Sequence, residues 1–112
     1  MNKLEQLIKY DFHDSLLERI SYDKENSKVF LEIDFCNWKQ KWYSESEEET
    51  SIILLVFENV SNVIIPVFKL NSDEIIDFVV SEDNSVKIVI FNDIDENSYE
   101  IIINAETVKI IK

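Results

Sequence analysis

The residues best equipped for chemistry are Phe12-His13-Asp14-Ser15, which set an imidazole, a carboxylate and a hydroxyl side by side in the chain. Those groups form the relay of a serine hydrolase, but there they come from separate elements, because consecutive side chains rarely point at one another. The spacing therefore predicts a structural junction. His13 bonds to backbone, and Asp14 or Ser15 serves as a turn or cap residue. A hydrolase using His13 and Asp14 ranks last among the functional readings.

Other chemical patterns fail on their own requirements. Asp93-Ile94-Asp95-Glu96-Asn97 opens like a calcium loop, but the sixth position is Ser98 in place of glycine and the twelfth is Asn104 in place of a bidentate glutamate. A hairpin turn is expected there. One histidine and one cysteine cannot supply a zinc ligand set. Cys36 has no partner for an internal disulfide, so a buried thiol in a reducing compartment is expected. The chain contains no glycine. Phosphate loops, dinucleotide fingerprints and nucleophile elbows need one where the backbone must approach closely or turn sharply. No catalytic residue, metal or cofactor is expected, and the chain reads as a non-enzyme.

Binding residues are easier to place. Trp38, Trp42 and Tyr43 flank Lys39-Gln40-Lys41 and adjoin an acidic run that includes Glu45, Glu47, Glu48 and Glu49. Tryptophan and tyrosine are favoured anchors at protein interfaces. The same rings could fold back as a lid on the open end of the core, and the two roles are compatible. Net charge is −12, unevenly spread: residues 1–42 carry seven basic and eight acidic residues, residues 43–112 four and fifteen. That field repels nucleic acid and anionic membrane. It favours a basic protein partner such as a toxin or nuclease and speeds encounter with it, although acidity also serves solubility alone.

The elements that must position these groups are short. Leu4, Leu7 and Ile8 share one face of an N-terminal helix, with Asn2 and Glu5 as a capping-box-like start. Leu16–Tyr22 and Lys28–Trp38 form a hairpin, with Val29, Leu31, Ile33 and Phe35 on one face and Glu32 and Asp34 on the other. Lys39–Thr50 is a loop. Ile52–Phe57 is apolar throughout, which predicts a central strand covered on both faces. A turn follows at Asn59–Asn62, then an edge or bulged strand around Pro66, a helical turn at Asn71–Glu74, and strands at Ile75–Val80, Val86–Phe91, Tyr99–Ile103 and Val108–Ile111. No internal repeat is evident. Without glycine, turns fall to Asn62, Asn71, Asn84, Asn92 and Asn97 and should exceed two residues. The expected fold is a single α+β domain over residues 1–112, mainly antiparallel β, with seven or eight short strands in a sandwich and one N-terminal helix. A flattened barrel is second.

The order aromatic, His13, Asp14, Ser15, then a strand ending Tyr22-Asp23, a turn and a second strand resembles small uncharacterised bacterial proteins. Some of these are grouped with the immunity proteins of polymorphic toxin systems. The resemblance covers about residues 11–35. It implies a small cytoplasmic α+β protein that neutralises a cognate toxin by binding it, and it carries no site residue across. No signal segment and no apolar run long enough to span a bilayer are visible, so a cytoplasmic location is expected. The functional expectation is an acidic binding protein, plausibly an inhibitor of a basic toxin. The alternative is an assembly module that forms a homodimer or complex through an apolar sheet face.

Overall fold

The computed structural model describes residues 3–44 and 48–112. Six strands, β1 (Leu16–Asp23), β2 (Lys28–Cys36), β3 (Thr50–Ile64), β4 (Asp73–Ser81), β5 (Ser85–Asn92) and β6 (Asn97–Ile111), close one antiparallel barrel. The strand order round the barrel is β1-β2-β3-β6-β5-β4. This is a mainly β fold, so the α+β sandwich expectation is corrected to a barrel with fewer and longer strands.

Strand alternation builds the core. Val29, Leu31, Ile33 and Phe35 of β2 point inward, as do Ile53, Leu55 and Phe57 of β3 and Val86, Ile88 and Ile90 of β5. Burying such a side chain contributes roughly 1.5–3 kcal/mol. Glu32 and Asp34 face outward as expected. The all-apolar run 52–57 does not need cover on both faces, because in a barrel the alternate residues look out. Ile52 is 53% exposed and Leu54 half-buried, and only Val56, at 6% exposure, is covered on the outer side.

The two long strands account for the missed boundaries. No turn interrupts 59–62. β3 runs through, absorbing a register shift between Val60 and Asn62 with Asn59 at φ 54°. Likewise β6 is one strand of 15 residues where two were expected. Asn71–Glu74 makes a bend leading directly into β4, with no helical turn.

The N-terminal segment Lys3–Lys9 is a 3-10 helix. Its period of three residues stacks Leu4 and Leu7, both buried, and throws Ile8 off that face to 65% exposure. The α-helical spacing that would bury Ile8 is therefore not realised. The expected Asn2 cap lies outside the described residues.

The barrel also contains an internal repeat that the sequence hides. β1-β2-β3 and β4-β5-β6 have strand lengths of 8, 9, 15 and 9, 8, 15 residues. Each first strand carries a bulge at the same step, between Leu17 and Arg19 and between Ile75 and Asp77. Asp14 and Ser72 precede those strands with φ of 70° and 48°, and Ser27 and Asn84 end the first hairpin of each half with φ of 52° and 62°. The Ser27 and Asn84 carbonyls then accept from Val60 and Ala105 at 2.9 and 3.1 Å. The halves pair antiparallel along β3 and β6, giving an approximate two-fold axis. The opposite seam is narrow, only Leu16 with Glu74 and Leu17 with Asp73. It is extended by Asp14 N–H to Ile75 O (2.9 Å) and Ile75 N–H to Ser15 O (2.8 Å).

Hairpin loops contain four, three and four residues (24–27, 82–84 and 93–96), longer than two as the lack of glycine requires. The residues at positive φ are only partly those expected. Asn84 is among them, but the others are Asp14, Ser27, Asn59, Ser72 and Glu96.

Candidate functional site

The narrow seam carries a dense polar cluster. Asp14, held at positive φ, presents its carboxylate to Lys39 from the 3-10 turn Asn37–Lys39. Lys39 Nζ lies 3.1 Å from Asp14 Oδ2 and 3.2 Å from His13 Nδ1, while His13 Nδ1 lies 3.1 Å from Asp14 Oδ1. Nδ1 can accept from the ammonium or donate to the carboxylate, and the tautomer decides which. On the other side Asp14 meets Glu74. The hydrogen bond with Glu74, then that with Lys39, holds the Asp14 carboxyl below its ordinary value. The same bond to Asp14, with burial second, pushes Glu74 up. Of the two carboxyls, Glu74 is thus the one that keeps a proton longer as pH rises. Asp14 in turn raises Lys39.

The nucleophiles beside this cluster are disarmed. Ser15 is fully buried, and its Oγ accepts from Cys36 N–H at 3.0 Å. Cys36 Sγ contacts the Asp14 carbonyl at 3.4 Å, and burial pushes its thiol up, away from the reactive thiolate. The main-chain N–H of His13 donates to Asp11 Oδ1 at 3.0 Å, and its imidazole meets the side chains of Lys39 and Asp14 in place of the backbone partner expected. Thus His13, Asp14 and Ser15 do not converge on a substrate position; the cluster ties β1, β2 and β4 together. Among the described residues no group of three or more histidine, cysteine or acidic side chains could hold a metal.

The aromatic loop combines lid and surface. Trp42 packs edge-on to Tyr10 with ring centroids 5.5 Å apart, and Tyr10 continues to Phe12 and Phe35 in the core. Trp42 still exposes 43% of its surface, and Trp38 exposes 48%. Tyr43 is half-buried, its N–H bonded to Gln40 O at 3.2 Å. Glu48 and Glu49 are exposed and serve through backbone oxygens, accepting from Asn37 Nδ2 and Trp38 N–H. Glu45 and Glu47 lie outside the described residues.

Cations also edge these rings. Lys39 sits 5.8 Å over Trp38, and Lys112 lies 5.4 Å over Trp42 and 5.5 Å over Tyr10. The C-terminal lysine reaches the loop only through the β3–β6 ladder, a neighbour that sequence proximity does not reveal. Sequence reasoning also passed over Gln40. Its buried amide accepts from Asp11 N–H at 2.9 Å and donates to the Asp11 and Cys36 carbonyls at 2.7 and 2.9 Å. A buried, fully used amide inside a polar loop has no signature in one sequence.

Comparisons of the chain with protein-family models, with curated proteins and with solved structures give no match. Asp73 is the only buried acid among the described residues. The ion pairs of the described residues engage only the carboxylates of Asp14, Glu32 and Glu58. Residues 73–106 contain ten acidic residues against a single basic one, Lys87. The unneutralised charge is thus concentrated on β4, on the turns 82–84 and 93–96, and on β6 at Glu100 and Glu106. No helix among the described residues is long and apolar enough to cross a membrane.

Proposed function

We propose that this chain works by binding, without catalysis, as an acidic protein that masks a basic surface on a protein partner. The observation that carries the reading is the near absence of internal neutralisation. Carboxylates cover the outside of a closed barrel, and the described cations are too few to pair with them. A field of this kind attracts an oppositely charged partner and fixes its approach more than it sets final affinity. The resemblance over residues 11–35 supports a narrower version, a cytoplasmic immunity protein that covers the basic site of a cognate toxin or nuclease. Trp38, Trp42, Tyr43, Glu48 and Glu49 form one candidate contact, with Trp38 best placed to bury its free face.

The test is co-expression with the product of the neighbouring open reading frame. Co-purification as a defined complex whose association slows as salt rises is the expected result. A complex that forms at a salt-independent rate would remove charge from the argument.

A second reading, assembly through an apolar sheet face, is favoured by Ile52 and Ile111, both half-exposed on the outer side of β3 and β6. Light scattering on a size-exclusion column separates the two, since a strict monomer at high micromolar concentration overturns assembly.

A further inference from the structure

The outer side of β3, β6, β5 and β4 joins an aliphatic row to a polar cleft. Ile64 pairs with Ile102, Ile102 with Lys87, and Lys87 with Val79, so the four side chains cross the sheet in one line. Ile64 is 51% exposed and Val79 38%. One step along the strands the line turns polar, with Asn104 between Asn62 and Ser85. It opens into a cleft of about 260 Å³ lined chiefly by Asn59, Ser61, Asp83, Asn84, Asn104 and Glu106.

The cleft is rich in unused acceptors. Asn59 Nδ2 donates to Glu106 Oε2 at 3.2 Å, leaving Oε1 open, and Ser85 Oγ donates to Asp83 Oδ1, leaving Oδ2 open. The side chains of Ser61, Asn84 and Asn104 make no hydrogen bond to other described residues. No cation of the described residues pairs with Asp83 or Glu106. Both walls are backbone held at positive φ, Asn59 at 54° and Asn84 at 62°, and the latter's carbonyl is fixed by Ala105 N–H. The two open carboxylate oxygens select a positively charged group with several donors, and the Asn84 and Asn104 amides, which can turn either way, present their carbonyls to it. A guanidinium has five donors in a planar fork. An aliphatic row beside such a pocket matches the apolar centre and arginine anchor of protein interfaces.

We propose that this cleft receives an arginine side chain from the basic partner, while Ile64, Ile102 and Val79 pack against apolar residues flanking that arginine. The proposal rests on the reading of the chain as a binder of basic protein surface and places the docking centre on this face, away from the aromatic loop.

Amide and methyl NMR spectra of the full chain, titrated with acetyl-Leu-Arg-Leu-amide at low ionic strength, test it. Shifts should centre on Ser61, Asn84, Asn104 and Glu106 and extend to the methyl groups of Ile64 and Ile102. The neutral isostere with citrulline should bind at least about tenfold more weakly. The exposed double substitution Asp83→Asn with Glu106→Gln should cost about the same factor while leaving the remaining spectrum in place. Binding that the double variant leaves intact, or shifts spread equally over the 93–96 turn, overturns the cleft yet leaves an acidic binder of basic segments. Equal affinity for acetyl-arginine-amide overturns the role of the aliphatic row and a protein source for the arginine. No binding of the arginine peptide anywhere on the chain overturns both the cleft and the reading beneath it.

Discussion

Gln40 pairs with the backbone of Asp11 across 29 positions of sequence, its amide accepting from Asp11 N–H and donating to Asp11 O as a neighbouring strand would. The other half of the barrel uses a related contact, in which the amide donates to the entering segment while its oxygen accepts from the Ile94 and Asp95 N–H groups. Asn92 Nδ2 donates to Lys69 O at 2.8 Å, and Phe68 and Leu70 flank that carbonyl as Tyr10 and Phe12 flank Asp11. Each half thus uses one buried amide to seal its end of the barrel with the strand-like segment that enters it.

Gln40→Leu should therefore destabilise the chain by about 2–4 kcal/mol, because it keeps the volume but strands one N–H and two carbonyls. Urea unfolding measures it. A loss under 1 kcal/mol would show that water replaces the amide.

Asn92→Ala should cost at least as much, about 3–5 kcal/mol. Asn92 Nδ2 also donates to Asp73 Oδ2 at 2.9 Å, and Asp73 Oδ1 has no hydrogen-bond partner. Removing Asn92 leaves a buried carboxylate with neither oxygen satisfied. The same urea experiment reads the difference between the two variants.

The carboxyl pair at the seam gives a pH dependence of definite sign. Glu74 is raised in the folded state, so its contribution is complete below its ordinary value of 4.5 and fades as pH rises through the folded value. Asp14 is lowered, so its contribution is present above 3.8 and fades as pH falls through the folded value. Glu74→Gln donates to Asp14 at every pH. It should flatten the decline of melting temperature above pH 4.5 expected of wild type and leave the acid limb in place. An unchanged slope above that pH would mean that Glu74 does not hold the proton.

Glu96 occupies φ 58° at the end of the β5–β6 hairpin, a region costing a non-glycine residue about 1–2 kcal/mol. Glu96→Gly should stabilise by about 0.5–1 kcal/mol after the entropy glycine loses on folding. Glu96→Asn, which also removes the charge, should recover part of that gain. Thermal melts of both variants separate backbone relief from charge removal.

The two tryptophans should respond differently to truncation. Trp42→Ala loses the edge contact with Tyr10 and should cost about 1 kcal/mol. Trp38→Ala should stay within about 0.5 kcal/mol of wild type. If the aromatic loop contacts the partner, Trp38→Ala weakens the complex without this stability loss, which calorimetry on the complex would record.

Period-two alternation in β2 and β5 fixed their inward faces from the sequence alone, since a strand with one buried side must place Val29, Leu31, Ile33 and Phe35 together. The absence of glycine likewise set hairpins longer than two residues, and the acidic excess set the sign of the surface field. Other features depend on contacts distant in sequence. Whether Asn59–Asn62 turns or stays in a strand depends on the β6 partner that pairs on either side of the bulge. The 3-10 winding of the N-terminal segment is chosen by the core that Leu4 and Leu7 enter, and two turns of helix cannot hold their own shape. The repeat is invisible in one dimension because the halves share backbone geometry and hydrophobic size, not residue identity: Leu17 answers to Ile75 and Ser15 to Asp73. The neighbours of the aromatic loop and of the cleft were likewise decided in three dimensions, where the β3–β6 ladder brings Lys112 to Trp42 and Glu106 to Asn59.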